Sequence, residues 1–190
     1  MNSNQKKDIT GALVTEHRLI LRMIALLERN ALRTAEGTYT NWQFYLDGVD
    51  FIRNYADSFH HAKEEDVLFE ALIQNGMPRE HSPVAAMLME HDQGRAFVKA
   101  LKTAAMGAIS GHDGWKQIIA ENALAYAALL REHIAKEDDV LYPLAERLIP
   151  DTMRDDIVAG YAAAEARTAA DFTAHYEKIV AGYEQEDKQA

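Results

Sequence analysis

The feature that most constrains this chain is a ten-residue segment that occurs twice, as HHAKEEDVLF at residues 60–69 and as HIAKEDDVLY at residues 133–142. Each copy places a histidine four positions before a glutamate. Positions i and i+4 lie on one face of an α-helix, so each pair can point into one cavity. A single pair of this kind is usually a surface ion pair, but two copies in matching contexts favour a shared site.

Each repeated segment is preceded by a lone histidine. His17 lies 43 residues before His60, and His91 lies 42 residues before His133. The chain thus contains two similar helical hairpins, which an antiparallel four-helix bundle would relate by a pseudo-twofold axis. Such a bundle brings together four histidines and two glutamates, namely His17, His60, Glu64, His91, His133 and Glu137. Six ionisable groups in an apolar interior are very unfavourable unless metal neutralises and coordinates them.

Helical periodicity predicts where the four bundle helices lie. The expected bounds are residues 9–34, about 40–74, 83 to about 106 and about 113–149. In the first of these segments, helical spacing places Leu13, His17 and Ile20 on one inward stripe. A turn is predicted around Gly37, a capping box at Thr40 and Gln43 is expected to begin the second helix, and Asn75-Gly76 is expected to end it. Ser82-Pro83 supplies a cap and a first-turn proline that are expected to begin the third helix. Pro143 should kink or loosen the fourth helix.

The C-terminal residues predict a helical extension. Residues 150–190 are alanine-rich at first, which favours one more helix on the outside of the bundle, and they end in a polar tail that we expect to be frayed. The predicted fold is therefore all-α, an up-down antiparallel four-helix bundle over residues 1–149 with an additional C-terminal helix. Two roles stay open for that helix: covering the entrance of the site or forming a homodimer.

Several charged residues near the motif are predicted to face solvent. Lys63, Glu65 and Asp66 fall off the inward stripe of the second helix. Glu16 and Glu90 lie beside His17 and His91 rather than on the same face, so both are expected to be exposed.

Five further residues receive separate predictions. His81, His112 and His175 lie off any ligand stripe and are expected at the surface. Tyr126, two turns before the second motif, is predicted to be a core tyrosine, although it could line an access path. Gly94 either lets a helix or small ligand approach or is a tolerated helix glycine.

The composition restricts the chemistry that the site can use. The 190 residues contain no cysteine, which excludes disulfides, thiolate zinc sites and cysteine-ligated iron–sulfur clusters. The net charge of −10 disfavours nucleic acid or anionic membrane as a partner. No apolar run approaches the roughly 18 residues of a membrane span, and the polar start lacks a secretory signal. We therefore predict a soluble, cytoplasmic protein.

Counting donors indicates which metal would suit the site. Two ions with two histidines each, bridged by Glu64 and Glu137, have four protein donors apiece. A bridging oxide or hydroxide would make five and leave one position open on each ion. Open nitrogen-and-carboxylate sites are typical of non-haem iron, whereas structural zinc prefers closed tetrahedra. Zinc or manganese could still occupy the site.

The segments EHRLI, FHHAKEEDVLF, MEHDQGR and EHIAKEDDVLYP together resemble the hemerythrin-type (HHE) cation-binding domain over about residues 9–149. The resemblance implies an up-down four-helix bundle with an oxo- or hydroxo-bridged di-iron centre, and it implies the same six ligands. Oxygen-carrying hemerythrins use a further histidine one turn before the third-helix ligand, where this chain has Met87. Reversible oxygen carriage is therefore not expected. His61 could substitute, but its direction, about 100° from His60, favours a solvent-facing or supporting role.

These observations predict a di-iron protein that binds or reduces a small oxidant, which would be dioxygen, peroxide or nitric oxide. No nucleophile–base pair or nucleotide loop indicates another reaction, and no catalytic residue is assigned, so whether the protein is an enzyme stays open. The alternatives are a non-catalytic role in iron or oxygen sensing or iron handling, and a zinc-filled or metal-free helical interaction module.

Overall fold

The computed structural model describes residues 6–111 and 114–189, which form six helices and no strand. The helices are α1 (Gly11–Ala35), α2 (residues 42–74), α3 (Pro83–Ile109), α4 (residues 115–148), α5 (Asp151–Glu165) and α6 (Phe172–Gln189). The predicted all-α class with a C-terminal helical extension is confirmed. The extension holds two helices rather than one, because the chain turns between α5 and α6 over residues 166–171.

Helices α2 and α4 contain π-helical turns within otherwise α-helical segments. In α2, Trp42–Phe51 and Phe69–Gln74 are α-helical, and Ile52–His61 and Glu64–Leu68 are π-helical. In α4, Trp115–Lys136 and Tyr142–Leu148 are α-helical, and Glu137–Leu141 is π-helical. Each repeated segment therefore widens into a π turn that begins at its own glutamate. Such turns occur frequently at functional sites.

Pro143 does not interrupt α4, which continues through it to Leu148. The π turn just before it has a counterpart in α2, where Glu70 occupies the position equivalent to the proline. The loosening that was expected from Pro143 is therefore a property of the repeated motif, since it occurs with and without the proline.

Local signals at the helix ends are partly confirmed. Gly37 has a φ of +78° in the predicted turn after α1, a conformation that glycine adopts without strain. The Ser82 side chain accepts a hydrogen bond from the Ala85 amide before α3, as a helix cap does. The capping box predicted for α2 is wrong, because Asn41 caps that helix and Gln43 donates to Asp47 instead.

Two apolar clusters lie along the bundle with a polar layer between them. In α1, Leu13 belongs to the smaller cluster and Ile20 to the larger one, with His17 between them. The order is reversed in α2, where Phe59 of the larger cluster precedes Leu68 of the smaller one. The two helices therefore run antiparallel, and the polar layer lies inside the protein with apolar packing on both sides.

The C-terminal helices pack along the bundle. Helix α6 lies against α1, where Arg22 forms a two-pronged pair with Glu184 at 2.8 and 2.9 Å. The tail predicted to be frayed is helical to Gln189, because Asp187 near its end also pairs with Arg33 on α1. Helix α5 contacts the π-helical segment Glu64–Leu68 of α2. None of the described helices has an apolar stretch long enough to cross a membrane.

Candidate metal centre

The six residues singled out by the repeat meet in the polar layer of the bundle, and each is at most 2% exposed. The Nε2 atoms of His17 and His60 lie 3.0 Å apart. The Nε2 atoms of His91 and His133 also lie 3.0 Å apart. Each hairpin therefore contributes one histidine pair, and in both pairs the same ring nitrogen points inward.

Two carboxylates join the histidine pairs. Glu64 Oε2 lies 3.6 Å from the Nε2 atoms of both His60 and His91, which belong to different hairpins. Glu137 reaches the remaining two histidines, with Oε2 3.4 Å from His17 Nε2 and Oε1 3.1 Å from His133 Nε2. Each glutamate thus spans the two pairs, so the six side chains form one cluster rather than two separate ones.

Unpartnered oxygen atoms indicate what this cluster can hold. Glu64 Oε2 and both carboxylate oxygens of Glu137 are buried and make no hydrogen bond to any described residue. Leaving such acceptors without a partner is unfavourable, and a cation among them would remove the penalty. Because imidazole nitrogens face the same oxygens, the residues fit iron, zinc or manganese.

A second layer of carboxylates orients the four histidines. In every case the ring donates its Nδ1–H to an acidic side chain from another helix. The pairs are His17–Asp138 at 2.8 Å, His60–Glu16 at 2.8 Å, His91–Glu65 at 2.7 Å and His133–Glu90 at 2.9 Å. This hydrogen bond leaves the Nε2 lone pair free for a metal, an arrangement common among metal-binding histidines.

The prediction that Glu16, Glu65 and Glu90 face solvent is therefore wrong. Glu16 and Glu90 point away from the histidines next to them, and Glu65 lies off the inward stripe of its helix, as predicted. In all three cases that direction faces a histidine of a neighbouring helix and not water. The sequence signal that could have found them is repetition, since an acidic residue precedes both lone histidines and follows both motif glutamates.

Lys63 was also predicted to be exposed and is fully buried. Its ammonium group pairs with Glu16 and with Glu165, the latter at 3.0 Å. Glu165 belongs to α5, so the extension covers a side chain that the bundle alone would leave at its surface. Asp66, three positions after Lys63, is exposed as predicted.

His61 is buried rather than solvent-facing. Its ring stacks on that of His91 with centroids 3.6 Å apart, and its Nδ1–H donates to Asp57 at 3.3 Å. One of its nitrogens lies within 4.8 Å of donor atoms of Glu64, His91 and His133. Burial and the nearby His91 lower the pKa of His61 to about 4, so the ring is neutral at pH 7.

Tyr142 is a site residue that the sequence reasoning missed. Its hydroxyl donates to Glu64 Oε1 at 2.6 Å and lies 3.3 Å from His17 Nε2. The equivalent residue in the first copy is Phe69, whose ring stacks near His91 without a hydroxyl. The two copies of the motif end in different residues, Phe69 and Tyr142, and this difference was the sequence signal that could have identified Tyr142.

Burial and mutual charge determine the protonation of the cluster. Burial and the charge of Glu137 raise the pKa of Glu64 well above its ordinary value. Burial opposes ionisation of Glu137, but the adjacent His133 and His17 outweigh it and lower its pKa well below the ordinary value. Burial also opposes a charge on His17, yet Asp138 and Glu137 outweigh it and raise its pKa to about 9. Protons and metal therefore compete for these donors.

A cavity of about 460 Å³ reaches the cluster from one side. It touches His61 and His91 at its inner end and is lined by Gly94 and Tyr126. Tyr126 therefore fulfils both alternatives, since it is buried and also lines an access path. Among the histidines predicted at the surface, His81 and His175 are exposed, whereas His112 lies outside the described residues.

Comparison with known proteins agrees with this geometry. Residues 8–145 match the family model of the Hemerythrin HHE cation binding domain. The chain is similar to an uncharacterized protein of Mycobacterium bovis and to uncharacterized proteins of two Mycobacterium tuberculosis strains, each 22% identical over 131 residues. That stretch is 69% of this chain and 51% of each relative, so the chain spans about half the length of the curated relatives it matches. No solved structure gives a significant match.

Proposed function

Because the chain belongs to the hemerythrin HHE cation-binding domain family, we propose that it holds two iron ions and binds or reduces dioxygen, peroxide or nitric oxide. The observation that carries this proposal is the set of three buried, unpartnered carboxylate oxygens facing four imidazole nitrogens. Such a set is unfavourable without a cation, and its mixture of nitrogen and carboxylate donors suits non-haem iron.

The proposed ligands are two histidines from each hairpin and two shared carboxylates, namely His17, His60, His91, His133, Glu64 and Glu137. We include His61 as a further donor on the side of His91. Its Nδ1–H donates to Asp57 of its own helix, so its Nε2 is left free for a metal as in the other four histidines. Its burial and neutral state at pH 7 also support that role.

Bound iron would supply open coordination positions and redox electrons for a small oxidant. The residues of the chain orient the donors, exclude water and hold a proton near the centre. Burial and the charge of Glu64 raise the pKa of Tyr142 well above its ordinary value, so its phenol keeps a proton beside His17 and Glu64. The apolar clusters on both sides of the polar layer prevent bulk water from reaching it through the ends of the bundle.

Aerobic purification followed by metal analysis and an absorption spectrum tests the metal part of this proposal. Two irons per chain with oxo-to-iron charge-transfer bands are expected. Stoichiometric zinc without colour would contradict it and would favour a zinc-filled interaction module. Steady turnover of peroxide or nitric oxide by the reduced protein, lost in Glu64→Ala, tests the reaction.

A non-catalytic role in iron or oxygen sensing or iron handling is supported by the way the site joins all four bundle helices. Its donors come from α1, α2, α3 and α4, so metal occupancy would stabilise the whole bundle and a partner could respond to that stability. A large rise in melting temperature on iron binding, without turnover of any of the three oxidants, would favour this alternative.

A further inference from the structure

The cavity beside the centre carries an unusual concentration of positive charge for a chain of net charge −10. Arg53, Lys99 and Lys102 line it and are exposed, so they lie at its solvent side; we call these three residues the cationic rim. None of them forms an ion pair with any residue in the described ranges. Lys99 and Lys102 are three positions apart on α3, which places both on one helix face.

A fourth cation in the cavity is already neutralised. Arg95 pairs with Asp57 and Glu65 at 2.7 Å each and with Asp92 at 2.9 Å. Arg95 therefore closes a salt-bridge network beside the metal centre. The positive charge that remains available to a ligand is that of the cationic rim.

Tyr126, which lines the cavity, carries a hydrogen-bond donor without a partner among the described residues. This donor is its hydroxyl group, which is buried. Burial and the charge of Asp57 raise the pKa of this phenol, so it stays a donor at neutral pH. Gly94 also lines the cavity and lies against this ring, since an added Cβ would already be 3.5 Å from it. A longer side chain at this position would therefore crowd Tyr126 and occupy part of the cavity.

The register of the helices brings the donor and the rim together. Arg53 lies seven residues before His60, Tyr126 seven before His133, and Lys99 eight after His91. Because neighbouring helices are antiparallel, all three lie about two turns, or roughly 10 Å, from the metal layer on the same side. Ile52 and Val98 line the cavity at that same level, and Leu130 lies about one turn nearer the metal layer. Nearer His61 the cavity is also lined by Asp57 and Glu90, which already pair with Arg95 and Lys136.

We propose that this cavity binds a small organic anion, with its carboxylate between the cationic rim and the Tyr126 hydroxyl and its apolar body against Ile52, Val98 and Leu130, on the side that leads to His61 and His91. The volume of about 460 Å³ suits a molecule of this size and far exceeds a diatomic gas. Binding itself does not require metal. If the centre holds iron, as the proposed function states, the bound anion would lie near a redox centre, where a reductant or second substrate would bind. This consequence rests on the proposed function.

Isothermal titration of the full chain with 4-phenylbutyrate and its uncharged amide tests the proposal, with and without bound iron. We expect the carboxylate to bind about tenfold or more tightly than the amide in both forms, because charge-assisted hydrogen bonds are the stronger ones. Inorganic phosphate, which lacks an apolar body, should bind more weakly than 4-phenylbutyrate. Equal affinity for acid and amide, or no binding of either, would overturn the proposal whatever the iron content proves to be.

Matched variants locate the binding. Lys99→Gln/Lys102→Gln should abolish the preference for the acid, whereas Lys116→Gln/Lys188→Gln, with the same change of charge at exposed positions outside the cavity, should retain it. Gly94→Leu should abolish binding of both probes. A preference that survives the rim variant, or binding that survives the cavity filling, would show that the anion binds elsewhere.

Tyr126→Phe separates a ligand contact from a structural role. The hydroxyl has no partner in the free protein, so its removal should leave the melting temperature unchanged or raise it. Affinity for 4-phenylbutyrate should fall several-fold. A lower melting temperature with unchanged affinity would show that the hydroxyl is structural and would refute this contact.

Discussion

Lys63 and Lys136 occupy equivalent positions in the two copies of the motif, and both pair with the glutamate that supports a histidine of the site. The side chain of Lys63 is 0% exposed, whereas that of Lys136 is 45% exposed. The difference comes from α5, which places Glu165 over Lys63, whereas Glu90 is the one carboxylate that pairs with Lys136 among the described residues. Two nearly identical segments thus have different surroundings, and the added helix makes the difference.

The inner faces of the two copies differ as well. The half that contains His17 has the Tyr142 hydroxyl against Glu64, and the half that contains His91 has Phe69 in the equivalent place. His61 stacks on His91, while the equivalent residue of the second copy is Ile134. The cavity opens on the His91 side. We call the half that contains His17 and the Tyr142 hydroxyl the closed half. The half that contains His91, which the cavity reaches, is the open half.

The largest expected effect tests whether the two halves share one centre. Since both glutamates span the histidine pairs, His60→Ala and His133→Ala should each lose most of the bound metal and not only one ion. A metal present at about 1,000 times its Kd adds roughly 4 kcal/mol of stability, so either variant should melt about 10 °C lower. Metal analysis and thermal unfolding measure both effects.

His175→Ala is the control for these two variants, because His175 is exposed on α6. It should keep its full metal content and melting temperature. Loss of metal from this variant, or loss of one ion only from the other two, would contradict a shared centre.

The next effect sharpens the contrast between the lysines. Lys63→Met leaves the buried Glu16 without its ammonium partner and should cost about 3 kcal/mol or more, as is usual when one member of a buried pair is removed. Lys136→Met removes a partly exposed pair and should cost less than about 1 kcal/mol. Urea unfolding of the iron-free proteins measures both. Similar losses would mean that covering by α5 is not what distinguishes the halves.

His61→Ile makes the first copy resemble the second. If His61 donates to a metal, affinity for one of the two ions should fall by at least about tenfold, the lower end of what even a supporting residue of a metal site contributes. Competition with a chelator measures the affinity, and X-ray absorption at the iron edge counts histidine neighbours. Ile134→Val, which changes a buried residue at the matched position without removing a donor, should change neither. An unchanged histidine count in His61→Ile would rule out ligation.

Tyr142→Phe gives the smallest effect and makes the closed half resemble the open one. Glu64 Oε1 loses its donor, so the variant should lose about 1–2 kcal/mol of stability and show a shifted iron absorption spectrum with the iron retained. Tyr183→Phe removes a hydroxyl that donates to Asp47, far from the layer, and serves as the matched control. A spectrum identical to that of the unaltered protein would show that the phenol does not influence the centre.

Much of the fold followed from local signals. The turn at Gly37, the cap at Ser82 and the end of α2 at Asn75 are confirmed, because each depends on a few neighbouring residues. The buried stripe of α1 is confirmed for the same reason, since helical spacing places Leu13 and Ile20 on one face. The errors at Gln43 and in the C-terminal tail arose where a residue on another turn or another helix provided a better partner.

By itself, the sequence determined that two like hairpins bring six ionisable side chains into one polar layer, because periodicity and repetition fix which residues share a helix face. Only the tertiary structure decided the roles of Glu16, Lys63 and His61, together with the position of the cavity. The physical reason is that a residue beside a helix stripe faces either water or a neighbouring helix. Which of the two it meets depends on packing that no single segment encodes.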